Sequence, residues 1–209
     1  MNLDEVVRRR RMVRSFQRRE LPPTLVERLT RNALRAPSAG FSQGWAFLVL
    51  EGYAQTAPFW QTVGPDESDF AWPGLLNAPL LVACLSDKQA YLDRYAEPDK
   101  GWTDRDERRW AAPYWDIDTG MAALLMLLTA VDAGLGALFF TPPLDKIPRL
   151  FAAFGIPDRL HLIGVVAVGY PAEDRPSSSA RRPRRPASDV IHRGQWRPSA
   201  RESDAPQAT

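Results

Sequence analysis

Arginine is the residue type through which this chain could do its most distinctive chemistry. Arg8, Arg9, Arg10, Arg11 and Arg14 crowd together near the start, and Arg181, Arg182, Arg184 and Arg185 form a second group near the end. Guanidinium groups stay charged and bind phosphate bidentately, so several that converge can hold a terminal phosphate against water. Composition alone favours a plainer reading, a solvated charged face or loose contact with nucleic acid. The distribution of charge sharpens the choice. Residues 1–35 carry ten Arg against four acids, residues 36–171 nine basic against sixteen acidic side chains, and residues 172–209 eight Arg against five acids, for net charges of +6, −7 and +3. Two basic ends around an acidic middle require an anionic partner or each other. A phosphate-bearing ligand gripped by both ends meets that requirement, and the acidic middle argues against nucleic acid as the partner.

Other chemistry is sparse. His161 and His192 are the only histidines, and neither has a Ser or Cys partner at a readable spacing, so a hydrolytic triad or a His-based metal site has little support. His161 reads as a strand-end residue. Asp104, Asp106 and Glu107 resemble a carboxylate cluster, but without the glycine of a calcium loop they read as a solvated face. The single cysteine, Cys84, lies in the apolar run Leu80–Leu85, which rules out an internal disulfide framework and reads as a small buried hydrophobe.

The elements that must position these groups follow from periodicity. A chain of 209 residues with 44% hydrophobic content can bury one core. The pattern predicts short helices over Leu3–Arg10 and from about Pro23 to Ala36, where Pro37 ends the second. Trp45–Leu50 and Leu80–Leu85 read as strands covered on both faces. Aromatic stretches around Phe59, Trp60, Phe70 and Trp72, and from Tyr91 to Trp115, read as mobile helices or loops over a pocket. Tyr114–Ala133 is apolar all round, which predicts a helix buried all round, about 30 Å long, either at the centre of the core or in a dimer interface. Gly134-Leu135-Gly136 ends it. A strand over Ala137–Phe140, a helix over Leu144–Phe154 and a strand over His161–Gly169 follow, and the Pro-, Ser- and Arg-rich remainder cannot build its own core. The order predicts an α+β or three-layer fold with a mixed sheet. The polar, Arg-rich start and the absence of an 18-residue uncharged apolar run predict a cytoplasmic protein without a membrane partner.

Five motifs in this chain resemble those of the FMN-dependent nitroreductase family. Arg10-Arg11-Met12-Val13-Arg14-Ser15-Phe16 is similar to its N-terminal signature, and Ala36-Pro37-Ser38-Ala39-Gly40-Phe41-Ser42-Gln43-Gly44-Trp45 to its second, leading into the first strand. Gly134-Leu135-Gly136, Gly169-Tyr170-Pro171 and Arg182-Pro183-Arg184-Arg185-Pro186 fall in family order. Three positions depart from it: Met12 stands where a hydrogen-bonding Ser is usual, Phe41 where Asn is common, and Gly44 where Pro often precedes the Trp. The Pro-Ser-x-Gly form is closer to the branch containing the flavin-fragmenting dimethylbenzimidazole synthase, which carries an Asp at the position of Met12, so flavin destruction is not the implied chemistry.

The resemblance implies a nitroreductase-like three-layer α/β/α sandwich with a mixed, mostly antiparallel sheet and a long central helix. It implies an interlocked homodimer with FMN in a cleft between subunits. Residues 1–171 would form the flavin-binding domain and residues 172–209 an arm that wraps the partner and ends in disorder. By position, Arg10 would face the phosphate, Arg11 and Met12 the ribityl chain, and Arg14 the pyrimidine edge, where a fixed cation stabilises negative charge on reduced flavin. Arg182 and Arg184 would complete the phosphate site, Pro37, Ser38 and Ala39 would come from the other subunit, Gln43 would also bind the cofactor, and Phe140 and Thr141 would lie near N5. The implied activity passes hydride from NADPH or NADH through FMN to a flat aromatic acceptor such as a nitroaromatic or quinone, with the acceptor pocket built from the aromatic segments. Reduction of an enone or halogenated phenol, or flavin binding without catalysis, remain as alternatives.

Overall fold

A computed structural model describes residues 1–64, 71–173 and 181–196. Phe70 and the expected disordered end beyond residue 196 lie outside them. The chain divides into two compact units, Met1–Asp174 and Arg175–Thr209.

In the first unit four strands, β1 (Trp45–Glu51), β2 (Leu80–Ser86), β3 (Gly136–Phe140) and β4 (His161–Gly169), form one sheet in the order β1-β2-β4-β3. Every adjacent pair is antiparallel, and the parallel component of the expected mixed sheet is confined to an isolated bridge between Met12 and Ala137. Side chains alternate across a strand, and β2 shows the result. Leu81, Ala83 and Leu85 enter one core with Phe59, Val63 and Leu150, while Leu80, Val82 and Cys84 enter the other with Val26, Leu29 and Met126. Helices α3 (Tyr53–Val63) and α6 (Ile147–Phe154) therefore cover one face, and α2 (Pro23–Ala33) and α5 (Tyr114–Asp132) cover the other. This is the three-layer α+β architecture. The short helices α1 (Leu3–Arg9) and α4 (Lys88–Ala96) complete the unit.

Four local expectations change, each for a physical reason. The strand β2 is buried along its whole length, whereas β1 is mostly half-buried because it is an edge strand. Helix α2 stops at Ala33 rather than Ala36, since Pro37 disfavours helical backbone at the residue before it and the chain has already left the helix through a turn. The predicted Leu144–Phe154 helix begins as a 3-10 turn over Leu144–Lys146, and the α-helix starts at Ile147 with Pro148 in its first turn, where a missing N–H costs no hydrogen bond. Helix α5 is buried on one face only. Ala122, Ala123, Met126 and Ala130 pack inward, but Tyr114, Ile117, Met121 and Leu124 form an exposed apolar stripe, because the sheet and α2 reach only one side. Among the described residues α5 is the one helix with the length and composition of a membrane span, and that inward packing is what the core helix of a sandwich also requires.

The second unit is described over residues 181–196. It holds a 3-10 turn over Ala187–Asp189, a hydrogen bond from Arg185 to the Asp189 carbonyl at 2.9 Å, and a stack of His192 on Trp196 with ring centres 4.0 Å apart.

Candidate functional site

The arginine-bearing segment after α1 is extended and stitched to the sheet edge. The Val13 N–H donates to the Ala137 carbonyl at 2.9 Å, the Gln17 N–H to the Tyr170 carbonyl at 2.8 Å, and the Ala172 N–H to the Ser15 carbonyl at 3.0 Å. Val13 and Phe16 are buried anchors, so the residues between and beside them are presented outward in a fixed register. Two glycines permit this approach. Gly134 turns the chain out of α5 with φ 73°, in the left-handed region where glycine carries no penalty. Gly136 lies so close to Val13 that a Cβ there would sit 2.9 Å from a Val13 methyl.

Arg9 and Arg11 line a small cavity of about 170 Å³ with Val131, Gly134, Leu135, Gly136 and Pro171. Arg9 is paired with Glu5 at 2.7 Å. Arg10 caps α1, its N–H bonding to the Val6 carbonyl at 3.0 Å. Met12 is half-buried against both cores. Arg14 lies over the Trp72 ring, 5.3 Å from its centre, a cation–π contact that fixes the guanidinium beside an aromatic face. Arg182 and Arg184 are exposed residues of the second unit.

At the other end of β3, Phe140 and Thr141 line an apolar cavity of about 460 Å³. Trp60 stacks on Phe140 with ring centres 5.7 Å apart and planes within 11°. Lys146 reaches the cavity while its Nζ donates to the Gly64 carbonyl at 2.9 Å, and Asp145 is the other charged residue of the lining. The aromatic expectation is only partly met. Trp60 does line this cavity, but Phe59 is a fully buried core residue, and nothing from Tyr91–Trp115 belongs to the lining. That second segment packs largely on itself, with Trp110 in ring contact with Tyr91, Tyr95, Trp102, Tyr114 and Trp115, and Trp110 and Trp115 line a separate open pocket of about 400 Å³.

Pro37, Ser38, Ala39 and Gln43 belong to a loop, residues 37–44, that leads into β1. Gly40, Phe41 and Gln43 all have positive φ, at 59°, 56° and 51°. Two non-glycine residues in that region carry strain that the surroundings must over-determine. Within the loop the Ser38 Oγ accepts from the Gln43 N–H at 3.0 Å, and the Ser42 hydroxyl donates to the Ala39 carbonyl at 2.7 Å. From outside, Arg94 Nε donates to the Gly40 carbonyl at 2.9 Å, and one Asp118 oxygen accepts from the Ala39 N–H and from the Tyr91 hydroxyl, both at 2.8 Å. Gly44, the departure from the family pattern, has a steric cause. A Cβ on it would lie 2.5 Å from the Tyr91 ring and 2.7 Å from the Asp87 carbonyl. Gly44→Ala is expected to lower stability by about 1 to 3 kcal/mol through overpacking, read as a drop in thermal midpoint; an unchanged midpoint would mean that Tyr91 is not seated as described.

The sequence pattern passes over Asp118, Tyr91 and Lys146. Asp118 does carry a readable signal, a carboxylate one turn inside a helix that is otherwise apolar. Ser86 Oγ donates to Asp116 Oδ1 at 2.6 Å, and His161 Nδ1 lies 3.2 Å from the same oxygen. Arg108 and Arg109 neutralise Asp106 and Asp104, and the Arg108 guanidinium holds Asp106 down to about 2. Burial pushes the Cys84 thiol up to about 12, an inert thiol.

The profile of the Nitroreductase family matches residues 7–170. The chain is 30% identical to an NADH dehydrogenase of Thermus thermophilus over 79% of its own length and 85% of that protein. It is 26% identical to an iodotyrosine deiodinase of Thermotoga neapolitana, over 83% of this chain and 91% of that one. An FMN-dependent nitroreductase from Clostridium difficile R20291 has the same fold, with a TM-score of 0.65, 18% identity, and coverage of 93% of this chain and all (100%) of the other.

Proposed function

Since this chain belongs to the nitroreductase family, we propose that it is an FMN-dependent oxidoreductase that takes hydride from NADPH or NADH and delivers it to a flat, electron-poor aromatic acceptor. One observation carries the reading. Along the single edge formed by residues 9–14 and β3, cationic side chains lie at one end and an aromatic-lined cavity at the other. That donor set fits a group with a phosphate at one end and a flat ring system at the other: Arg10 and Arg11 would hold the phosphate, and Met12, Arg14, Phe140 and Thr141 would flank the rest. Bound FMN supplies hydride transfer at N5. The protein's own residues would bind and orient it: Arg14, held by Trp72, would set a positive charge at the ring's polar edge, and Trp60, Phe140 and Pro142 give the cavity an apolar lining.

The working unit in this reading is a homodimer. The exposed stripe Tyr114, Ile117, Met121 and Leu124 on α5 supplies an apolar face for a two-fold contact, and Pro37, Ser38 and Ala39 would serve the partner's cofactor. The purified protein is expected to be yellow, to hold one FMN per chain and to bleach on anaerobic titration with NADPH or NADH; a colourless protein that takes up no FMN would refute the reading.

The deiodinase relative favours one second reading, reductive dehalogenation of a halogenated phenol in the same cavity. Stopped-flow reoxidation with a nitroaromatic, a quinone and a halophenol separates the two by which acceptor restores colour fastest. Trp60→Leu is expected to raise the acceptor KM about 2- to 10-fold, the worth of one aromatic contact, with FMN affinity unchanged. An unchanged KM would place the acceptor elsewhere.

A further inference from the structure

Asp118 is a carboxylate buried on α5, 3% exposed, and among the described residues no Lys, Arg or His pairs with it. Burying a charge without a counter-ion is expensive unless strong donors solvate it. The donors on the page are two. One is the Ala39 backbone N–H, the other the Tyr91 hydroxyl, and both reach the same oxygen at 2.8 Å. Burial, together with the bond to this carboxylate, pushes the Tyr91 phenol up, so it remains a donor.

These bonds form one clamp on residues 37–44. Tyr91 is fully buried; its ring occupies the space beside Gly44 at the end of the loop, and its hydroxyl holds the carboxylate that grips Ala39 near the start. Arg94, one helical turn further along α4, holds the Gly40 carbonyl, and the Tyr95 ring fills the place where a Gly40 side chain would stand. The segment so gripped is the one with two non-glycine residues at positive φ. Strained backbone of this kind persists only when its surroundings hold it. A charge-assisted bond is about twice as strong as a neutral one, which gives a reason for a carboxylate where an apolar residue would otherwise suit the core.

We propose that Asp118 is the positioning residue for the cofactor loop: its buried carboxylate, clamped by Tyr91, fixes Ala39 and with it the left-handed turns that present Pro37, Ser38, Ala39 and Gln43. The role of that loop at the cofactor rests on the function proposed above, whereas the clamp itself does not. Asp118 touches neither cofactor nor acceptor. It acts through Ala39.

The test compares Asp118→Ala, Asp118→Asn, Tyr91→Phe and, as a control, Met126→Ala in the full chain with FMN present. Met126 is a fully buried residue of the same helix, two turns further along and packed in the core between α2, α5 and the sheet, so its truncation lowers stability without reaching the loop. Amide exchange at residues 39–43 is expected to accelerate about 10-fold or more in Asp118→Ala and less in Tyr91→Phe. The Asn variant, whose amide oxygen can still accept from Ala39, is expected to recover most of the protection. Met126→Ala should lower the thermal midpoint while leaving exchange at 39–43 as it was. FMN dissociation, followed by recovery of flavin fluorescence, should quicken about 10-fold in Asp118→Ala and not in Met126→Ala. Unaltered exchange at 39–43 in Asp118→Ala, or an equal acceleration in Met126→Ala, overturns the proposal. Accelerated exchange with unchanged FMN release upholds the clamp and instead removes this loop from the cofactor site.

Discussion

Arg10→Ala combined with Arg11→Ala is expected to weaken FMN binding by about 3 to 6 kcal/mol, or roughly 10²- to 10⁴-fold, because each removes charge-assisted bonds to a phosphate at about 1.5 to 3 kcal/mol. The measurement is a titration of apoprotein with FMN, following the quenching of flavin fluorescence, for both single variants and the pair. Raising the salt concentration should weaken the parent more than the double variant, since the lost groups are the ones that salt screens. Arg11, with Arg9, lines the cavity beside Gly134 and Gly136, so Arg11→Ala asks whether the phosphate lies on that side of the extended segment. A larger loss in Arg11→Ala than in Arg10→Ala would move the phosphate into that cavity, and unchanged affinity in all three would remove it from this edge altogether.

Leu124→Arg is expected to dissociate the homodimer and, with it, release the flavin. Leu124 is 46% exposed and ends the stripe formed with Tyr114, Ile117 and Met121. An isologous interface meets each residue twice, so one substitution would place two unpaired guanidinium groups in an apolar seam, each costing several kcal/mol to desolvate. Sedimentation velocity should show a shift from dimer to monomer at micromolar concentration. The same preparation should lose its flavin absorbance, because loop 37–44 would no longer reach a partner's cofactor. The inward-facing core of α5 stays intact, so far-ultraviolet circular dichroism should keep its helical signal. A Leu124→Arg protein that stays dimeric would free α5 from the interface. A monomer that keeps its flavin would confine the cofactor site to one subunit.

The elements of this fold are legible in its sequence because period and punctuation are local properties. The β4 boundaries, His161 and Gly169, follow from an apolar, β-branched run between polar residues, and α5 from nineteen residues of helical pattern closed by Gly134. Boundaries slipped where a proline acts on its neighbours, at Ala36 and at Pro148. The candidate site was legible to the same depth. Residues 10–16 and 36–45 stand out by type and order, and Gly136 by its place after a helix.

What the sequence could not supply is anything decided by which surfaces meet. An apolar α5 fits a wholly buried helix as well as a half-buried one; only the sheet, reaching one side, left Ile117 and Leu124 exposed. Phe59, Trp60 and Trp110 are alike in composition, yet packing sent the first to the core, the second to a cavity and the third into a cluster of its own kind. Asp118 and Tyr91 stand 27 residues apart, and no local pattern ties either to Ala39. Sequence determined the period, the caps and the kinds of group available here. Tertiary structure chose the partners, because hydrogen bonds and contacts between distant segments depend on distances that come into being only when the layers close on one another.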